Sequence, residues 1–324
     1  MREALLSWFE ENARDLPWRR TRDPWRILVS EVMLQQIQVK RAIPFYERFL
    51  ARFPTVEALA GAPLSDAIRV WGDLGRYRRV VNLHRTARIV VDEHGGKIPS
   101  DPGVLLRLPG IGPYTAGAVA CFAYERDVPF FDTNMHRVLH RAFFGPDVPA
   151  ATAKPKEVME LAAGLLPSGR GWAWNQAVME FGALRCTARR PACEGCPLHD
   201  HCKARPKMAR ALAAAPRAKR NGAGPRYEET NIYLRGRVLA RLREAPDPGV
   251  TLPDLALQIG GDTDAEPRRL REVVEGLERD GLLRVTDASE RPEAYPADAV
   301  AEERASYSAG PEREDPAESR VSLP

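Results

Sequence analysis

Between Leu105 and His136 the chain reads L-L-R-L-P-G-I-G-P-Y-T-A-G-A-V-A and then V-P-F-F-D-T-N-M-H, and no other stretch limits the fold as sharply. Leu105, Leu106 and Leu108 suggest a helix, Pro109-Gly110-Ile111-Gly112 cannot continue it, and the small-residue run from Thr115 restarts one. The result is a helix-hairpin-helix. Gly110 and Gly112 permit a tight turn whose backbone N–H groups point outward beside a new helix N-terminus, a shape suited to gripping a phosphate without reading a base. Alone, L-P-G-x-G also fits a simple helix cap. Asp132, set beside Phe130, Phe131, Thr133 and Asn134, adds a second feature, because an unpaired carboxylate in apolar surroundings is costly and points to a cap or a catalytic group. The two roles are compatible, since a carboxylate that caps a helix starting near Asn134 is also held in one orientation.

A chain of 324 residues buries a sizeable core, and its length suggests two domains or three small units. Lys and Arg (48) only slightly exceed Asp and Glu (44), so net charge is a weak sign of a polyanion partner. Distribution says more: residues 203–226 carry many Lys and Arg and no acid, whereas the end of the chain is acidic. No run of about 18 apolar residues is present and the N-terminus enters an amphipathic helix at once, so the expectation is a cytoplasmic protein without signal peptide or membrane span.

Helices are expected over Arg2 to Asn12, from Pro24 through W-R-I-L-V-S-E-V-M-L-Q-Q, over Lys40 to Arg52, Val56 to Ala60, Leu64 to Val70 and Arg76 to His94. After the hairpin, further helices are expected over Met135 to Phe144, Pro155 to Leu165 and Gly171 to Leu184. No alternating strand run and no internal repeat interrupts them, which predicts an all-α core. Within the second helix Glu31 is surrounded by Val29, Val32, Met33 and Leu34. Burial there raises the carboxyl pKa and makes a better proton donor near neutrality, although a surface ion pair is the commoner use of a helical Glu. Arg76, Arg78, Arg79 and Arg85 suit either a nucleic-acid backbone or a solvated surface.

Of the five cysteines, Cys121 lies in the apolar A-V-A-C-F-A run and reads as an inert core residue. Cys186, Cys193, Cys196 and Cys202 follow the spacing C-x6-C-x2-C-x5-C, a four-thiolate set that serves either zinc or a [4Fe–4S] cluster. His199 and His201 are competing ligands that the set does not need. Arg185, Arg189, Arg190, Lys203, Arg205 and Lys207 surround it and suit phosphate.

Together these strings resemble the helix-hairpin-helix DNA glycosylase superfamily that includes endonuclease III, and more closely the adenine DNA glycosylases of the MutY type, over roughly Met1 to Arg210. P-W-R-I-L-V-S-E-V-M-L-Q-Q is similar to the segment bearing the family's catalytic glutamate, F-D-T-N-M-H-R-V-L to that bearing its catalytic aspartate, and the cysteine pattern to its iron–sulfur loop. The resemblance implies that Glu31 protonates a purine at N7 and helps activate water, that Asp132 stays ionised to stabilise positive charge on the deoxyribose, and that Tyr114 and Asn134 support them. It implies a [4Fe–4S] cluster on Cys186, Cys193, Cys196 and Cys202, a monovalent cation at the hairpin when DNA is bound, and DNA contacts by Gln36, Arg76, Gly110 and Gly112. Tyr114 stands where the endonuclease III branch has a Schiff-base lysine, so a monofunctional enzyme that leaves an abasic site is expected. The implied partner is double-stranded DNA with a mismatched or damaged base, extruded from the duplex and bound by a monomer. Arg76, Ile37 and Thr133 depart from the family's usual tyrosine, threonine and glycine. Adenine opposite guanine or 8-oxoguanine is therefore the first expected substrate, hypoxanthine or uracil the second, and binding without catalysis the rival from another class.

The expected organisation is a two-lobed helical core over 1–210 with the iron–sulfur loop at 186–202, a basic linker over 211–228, a winged-helix-like domain over 229–286 and a disordered tail over 287–324. In the third part helices are expected over Thr230 to Leu242, Leu252 to Ile259 and Pro267 to Arg279, then a strand over Gly281 to Val285. Arg268, Arg269 and Arg271 suit DNA contact there, while Glu272, Glu275, Glu278 and Asp280 argue against it.

Overall fold

Proline and capping chemistry places most of the helix starts. In chain order the helices are α1 (Arg2–Asn12), α2 (Pro24–Leu34), α3 (Val39–Arg52), α4 (Val56–Ala60), α5 (Leu64–Trp71) and α6 (Arg78–His94). There follow α7 (Pro102–Leu105), α8 (Pro113–Tyr124), α9 (Thr133–Phe143), α10 (Pro155–Leu165), α11 (Gly171–Leu184) and α12 (Arg205–Ala214). Last come α13 (Asn231–Glu244), β1 (Val250–Thr251), α14 (Leu252–Gly260), α15 (Pro267–Arg279), β2 (Arg284–Thr286) and β3 (Arg320–Ser322). This computed structural model describes residues 1–215, 225–246, 249–260, 267–286 and 319–324. Two units emerge, Met1–Gly61 with Asn82–Gly222 and Ala62–Val81 with Ala223–Pro324, and the division falls inside α6.

In the first unit α2 starts at Asp23, whose carboxylate accepts from the N–H of Trp25 (2.8 Å) and Arg26 (3.3 Å), with Pro24 in the first turn. Its side chains from Ile27 through Met33 are all buried, so the helix is wrapped by protein on every side and carries Glu31 with it. α8, equally buried, packs on α2. The approach of the Phe130 segment to α8 depends on Gly117, since a Cβ there would lie 2.7 Å from that of Phe130. α11 packs against α1 and α9, with Trp8 edge-on to Phe181 at 5.0 Å. Each large apolar side chain buried in this way contributes about 1.5–3 kcal/mol.

The expected helices recur with shifts that have local causes. α9 begins at Thr133 because Asp132 is its cap. α6 begins at Arg78 because Arg76 adopts a left-handed φ of 51°. The helix before the hairpin is a single turn, α7, with Leu106 and Leu108 in the turn that follows.

The second unit holds α5, a short 3-10 turn, the start of α6, and α13 to α15 with the strands. α13 and α15 pack through Leu234 and Val238 on one side and Leu270, Val273, Val274 and Leu277 on the other. Asp280 accepts from Arg78 (2.6 Å) and from Arg235, and Arg243 donates to the Gly72 carbonyl and the Tyr77 hydroxyl. The division corrects the expected core boundary, because 62–81 groups with the C-terminal residues.

The second correction concerns the chain end. The sheet has the order β1-β3-β2, antiparallel throughout, so residues 320–322, read as part of a disordered tail, form its central strand. Val321 pairs with both Val250 and Val285 and is fully buried, and the Pro324 carbonyl accepts from the Ser65 N–H. β2 begins only at Arg284, because Gly281 (φ 68°) first closes α15 by donating to the Glu278 carbonyl. Linker residues 216–224 and tail residues 287–318 lie outside the described residues.

Candidate active site

Glu31 is 5% exposed in the middle of α2. Burial pushes its carboxyl pKa up to about 7, against a hydrogen bond from the Tyr114 hydroxyl; the charge of Asp132 pushes it further up and that of Arg19 draws it down. Tyr114, in the first turn of α8, feels both carboxylates, and burial with the charges of Glu31 and Asp132 holds its phenol well above the ordinary range. Its ring is edge-on to Phe130 at 5.7 Å. The two acids, far apart in sequence, thus come close enough for their charges to act on each other and on one phenol, whose hydroxyl reaches Met179 Sδ at 4.0 Å.

Asp132 is fixed from two directions. One oxygen accepts from the Met135 N–H at 2.7 Å as the cap of α9, and the other accepts from the Asn134 amide at 2.9 Å. Asn134 is oriented in turn by Arg137, whose guanidinium donates to its Oδ1 (2.7 Å), to the Gly182 carbonyl (2.6 Å) and to the Cys186 carbonyl (2.7 Å). A hydrogen-bonded chain thus runs from the first cysteine of the quartet to the aspartate.

At the hairpin Gly110 has φ 75°, and a Cβ there would lie 2.8 Å from the Asn82 amide nitrogen. Gly112 is the N-cap of α8, with nothing near its missing Cβ and no side-chain cap. The Thr86 hydroxyl braces the turn by donating to the Pro109 carbonyl at 3.0 Å. Gln36, just after α2, is exposed with φ 60°, an uncommon conformation for a non-glycine residue. Gln35 donates to Thr115 Oγ1 at 3.4 Å. Arg76 is also exposed and left-handed, but it belongs to the second unit, whereas the other expected contacts belong to the first.

Cys186, Cys193, Cys196 and Cys202 line one cavity with apolar Val138, Phe181 and other residues. Among the described residues no three His, Cys, Asp or Glu side chains converge on a point where a single ion would sit. Four thiols lining one cavity are a donor set that fits a multi-iron cluster. Arg141 is 2% exposed and reaches Cys186 Sγ at 3.6 Å while donating to the Thr187 and Ala188 carbonyls and to Asp147, so a fixed cation faces the thiolates. Burial pushes the Cys121 thiol up to about 12, in keeping with an inert core residue.

Residues 29–168 match the family model of HhH-GPD superfamily base excision DNA repair proteins, and residues 186–202 match that of the iron–sulfur binding domain of endonuclease III. The adenine DNA glycosylase of Mycolicibacterium smegmatis is 40% identical over 284 residues, covering 87% of this chain and 92% of that protein. The chain belongs to the adenine DNA glycosylase family. The Mycobacterium tuberculosis enzyme of the same name is 40% identical over 83% of this chain and 87% of its own length. Among solved structures, a thermostable thymine-DNA glycosylase superposes with a TM-score of 0.59 at 32% identity over 63% of this chain and 94% of its own. An endonuclease III–DNA complex superposes at 0.56 and 23% identity over 64% of this chain and 94% of its own, a likeness of fold.

In this glycosylase the 186–202 segment is an iron–sulfur binding domain, and no described helix is long and apolar enough to cross a membrane. The site also contains residues that the motifs did not single out. Arg19, in the 3-10 turn Pro17–Arg19, donates to Gln176 Oε1 at 2.8 Å and to Glu180 at 2.9 Å, both on α11. Glu180, flanked by apolar Ala177, Val178, Met179 and Phe181, carried a sequence signal like that of Glu31. Gly182 carried none: a Cβ there would lie 2.7 Å from the Asn134 carbonyl, a proximity that only the packing of α11 on α9 creates.

Proposed function

We propose that this chain is a monofunctional base-excision glycosylase that hydrolyses the N-glycosidic bond of adenine mispaired with guanine or 8-oxoguanine. The observation that carries the reading is Glu31, buried within α2 and near enough to Asp132 to feel its charge. Burial keeps a proton on Glu31 closer to neutral pH than an ordinary carboxyl does, and Glu31 donates it to a ring nitrogen of the extruded base, making it a better leaving group. Asp132, held by two N–H donors, presents negative charge to the sugar as positive charge grows there. Water then completes the hydrolysis, with the Glu31 carboxylate left by proton transfer available to activate it. Tyr114 offers a phenol and no amine, so the site forms no imine with the abasic sugar.

Gly110, Gly112 and the N-terminus of α8 grip a phosphate, and Gln36 faces the lesion. Cys186, Cys193, Cys196 and Cys202 would hold the [4Fe–4S] cluster, which would tie the 186–202 loop into a rigid support for DNA. The Arg137 chain carries that support to Asp132. The preference for adenine rests on relatives named adenine DNA glycosylase that match at 40% identity over more than four-fifths of this chain.

The test incubates the protein with duplexes carrying adenine, hypoxanthine, uracil or thymine opposite each normal base and 8-oxoguanine, then cleaves abasic sites with hot alkali. Adenine release opposite guanine and 8-oxoguanine is expected, with nicking only after alkali. Faster release of a deaminated base or of thymine, or nicking without alkali, refutes the corresponding part.

A further inference from the structure

Arg141, near the end of α9, takes no part in the excision chemistry above, yet it is a charged side chain among the largest that are fully buried. Its guanidinium donates to Asp147 (2.5 Å) and to the carbonyls of Thr187 (2.7 Å) and Ala188 (3.0 Å), and its Nη1 lies 3.6 Å from Cys186 Sγ. Its own carbonyl accepts from the Ala204 N–H at 2.9 Å and lies 3.5 Å from Cys202 Sγ. One residue of α9 therefore touches both the first and the last cysteine of the quartet. Burial works against its charge, but the Asp147 hydrogen bond and the neighbouring Cys186 and Asp147 hold the guanidinium above its ordinary pKa.

Asp147 is built into this arrangement by the loop after α9. His140, fully buried, accepts at Nε2 from the N–H groups of Thr152 and Ala153, both at 3.1 Å, so its Nδ1 carries the proton and donates to the Gly145 carbonyl at 3.0 Å. The loop is thus pinned to α9 on either side of Asp147, whose carboxylate is 18% exposed. Among the described residues Asp147 is the one carboxylate bonded to Arg141. A cation fixed against a thiolate acts on whatever that thiolate binds. Four thiolates around a resting [4Fe–4S] core carry two net negative charges, and loss of an electron leaves one. A nearby cation therefore favours the unoxidised state, and a carboxylate beside that cation weakens the preference.

We propose that the buried Arg141–Asp147 pair sets how readily the iron–sulfur cluster is oxidised: Arg141, fixed against Cys186, holds the electron in the cluster, and Asp147 limits that hold. This rests on the reading of Cys186, Cys193, Cys196 and Cys202 as the ligands of a [4Fe–4S] cluster. Arg141 is a positioning residue that acts through its charge and its hydrogen bonds. The step it opposes is transfer of one electron from the cluster to an outside oxidant, after which the oxidised core sheds one iron as Fe2+ and leaves a [3Fe–4S]+ core.

The experiment takes the full chain with its cluster loaded, adds ferricyanide as the oxidant, and follows loss of the visible cluster absorbance, with thermal unfolding measured alongside. Asp147→Asn keeps an oxygen acceptor for Arg141 and removes the charge, and bleaching is expected to slow by about threefold or more. A merely structural pair gives the opposite sign, because a weaker tie to the loop loosens the site and speeds bleaching. Arg141→Met is expected to bleach about tenfold faster or more, while Arg141→Lys, which keeps the charge, falls between that variant and the parent. Added to Arg141→Met, Asp147→Asn slows nothing, because the cation it moderates is gone. Bleaching of Asp147→Asn at or above the parental rate, or slowing that persists in the double variant, overturns the proposal. If Arg141→Met assembles no cluster, the sign of the change in Asp147→Asn decides the matter. Metal content and absorbance of the purified parent test the underlying reading: a colourless, zinc-loaded chain removes the cluster itself, whereas a brown chain whose variants all bleach at the parental rate removes only the role of the pair.

Discussion

At the scale of single residues, Glu31 is a group whose function costs stability. Its folded-state pKa of about 7 lies above the ordinary 4.5, so the folded protein holds a proton that the unfolded chain has released between those values. The stability associated with neutral Glu31 is therefore full below about pH 4.5 and is lost as the pH rises through 7; the shift corresponds to about 3 kcal/mol at its upper limit. Glu31→Gln removes the ionisation, and denaturant titrations at pH 8 are expected to find the variant more stable than the parent by roughly 1–3 kcal/mol, with the two converging near pH 4. The same variant is expected to lose about 100-fold or more in excision rate. A variant no more stable at pH 8 than at pH 4, relative to the parent, refutes the buried acid. Glu31 was legible because an ionisable residue among Val29, Val32, Met33 and Leu34 stands out in any helical register. Glu180 also has apolar neighbours, yet its two arginines come from the segment between α1 and α2, and no spacing rule connects them to α11.

At the scale of elements, the hairpin glycines are not equivalent. Gly110 combines a φ of 75° with a Cβ position 2.8 Å from Asn82, while Gly112 has neither constraint. Gly110→Ala is expected to weaken duplex binding about tenfold or more and to lower the salt dependence of affinity, because the phosphate grip is deformed. Gly112→Ala is expected to change affinity less than about threefold in the same titration. The packing of α11 on α9 yields another prediction. Gly182→Ala brings a methyl to within 2.7 Å of the Asn134 carbonyl, so a helix must shift and carry Asn134 with it. A loss of roughly 1–3 kcal/mol in stability is expected, with a fall in single-turnover rate that exceeds any fall in duplex affinity. Equal losses in both would show that Asn134 had not moved. The starts of α2 and α9 were readable because Pro24 and Asp132 act on their own first turns. The contact at Gly182 was not, because it depends on the distance between two helices about 40 residues apart.

For the whole molecule, the end of the chain matters more than its composition suggests. Residues 320–322 are hydrogen-bonded to β1 and β2, which have no other partner strand in the described sheet, and Pro324 reaches the start of α5. Deleting residues 319–324 leaves both strands with unpaired edges. The expected outcome is rapid proteolysis within the second unit and loss of one thermal transition, with the visible absorbance of the iron–sulfur domain retained. A truncated chain that resists protease as well as the full one would mean that β3 is dispensable. The surrounding acidic, proline-containing sequence concealed this strand, since R-V-S-L offers too few alternating positions to register as one.

The sequence alone determined those features whose physics acts over a turn or two of chain: the capped and proline-started helices, the glycine hairpin, the cysteine spacing and a carboxylate stranded among apolar neighbours. Tertiary structure alone decided what depends on distance through space. The sharing of Tyr114 by Glu31 and Asp132, the pairing of Glu180 with Arg14 and Arg19, the closeness of Gly182 to Asn134 and the seating of Val321 between two strands arise only when buried charge and backbone must find partners wherever the fold brings them.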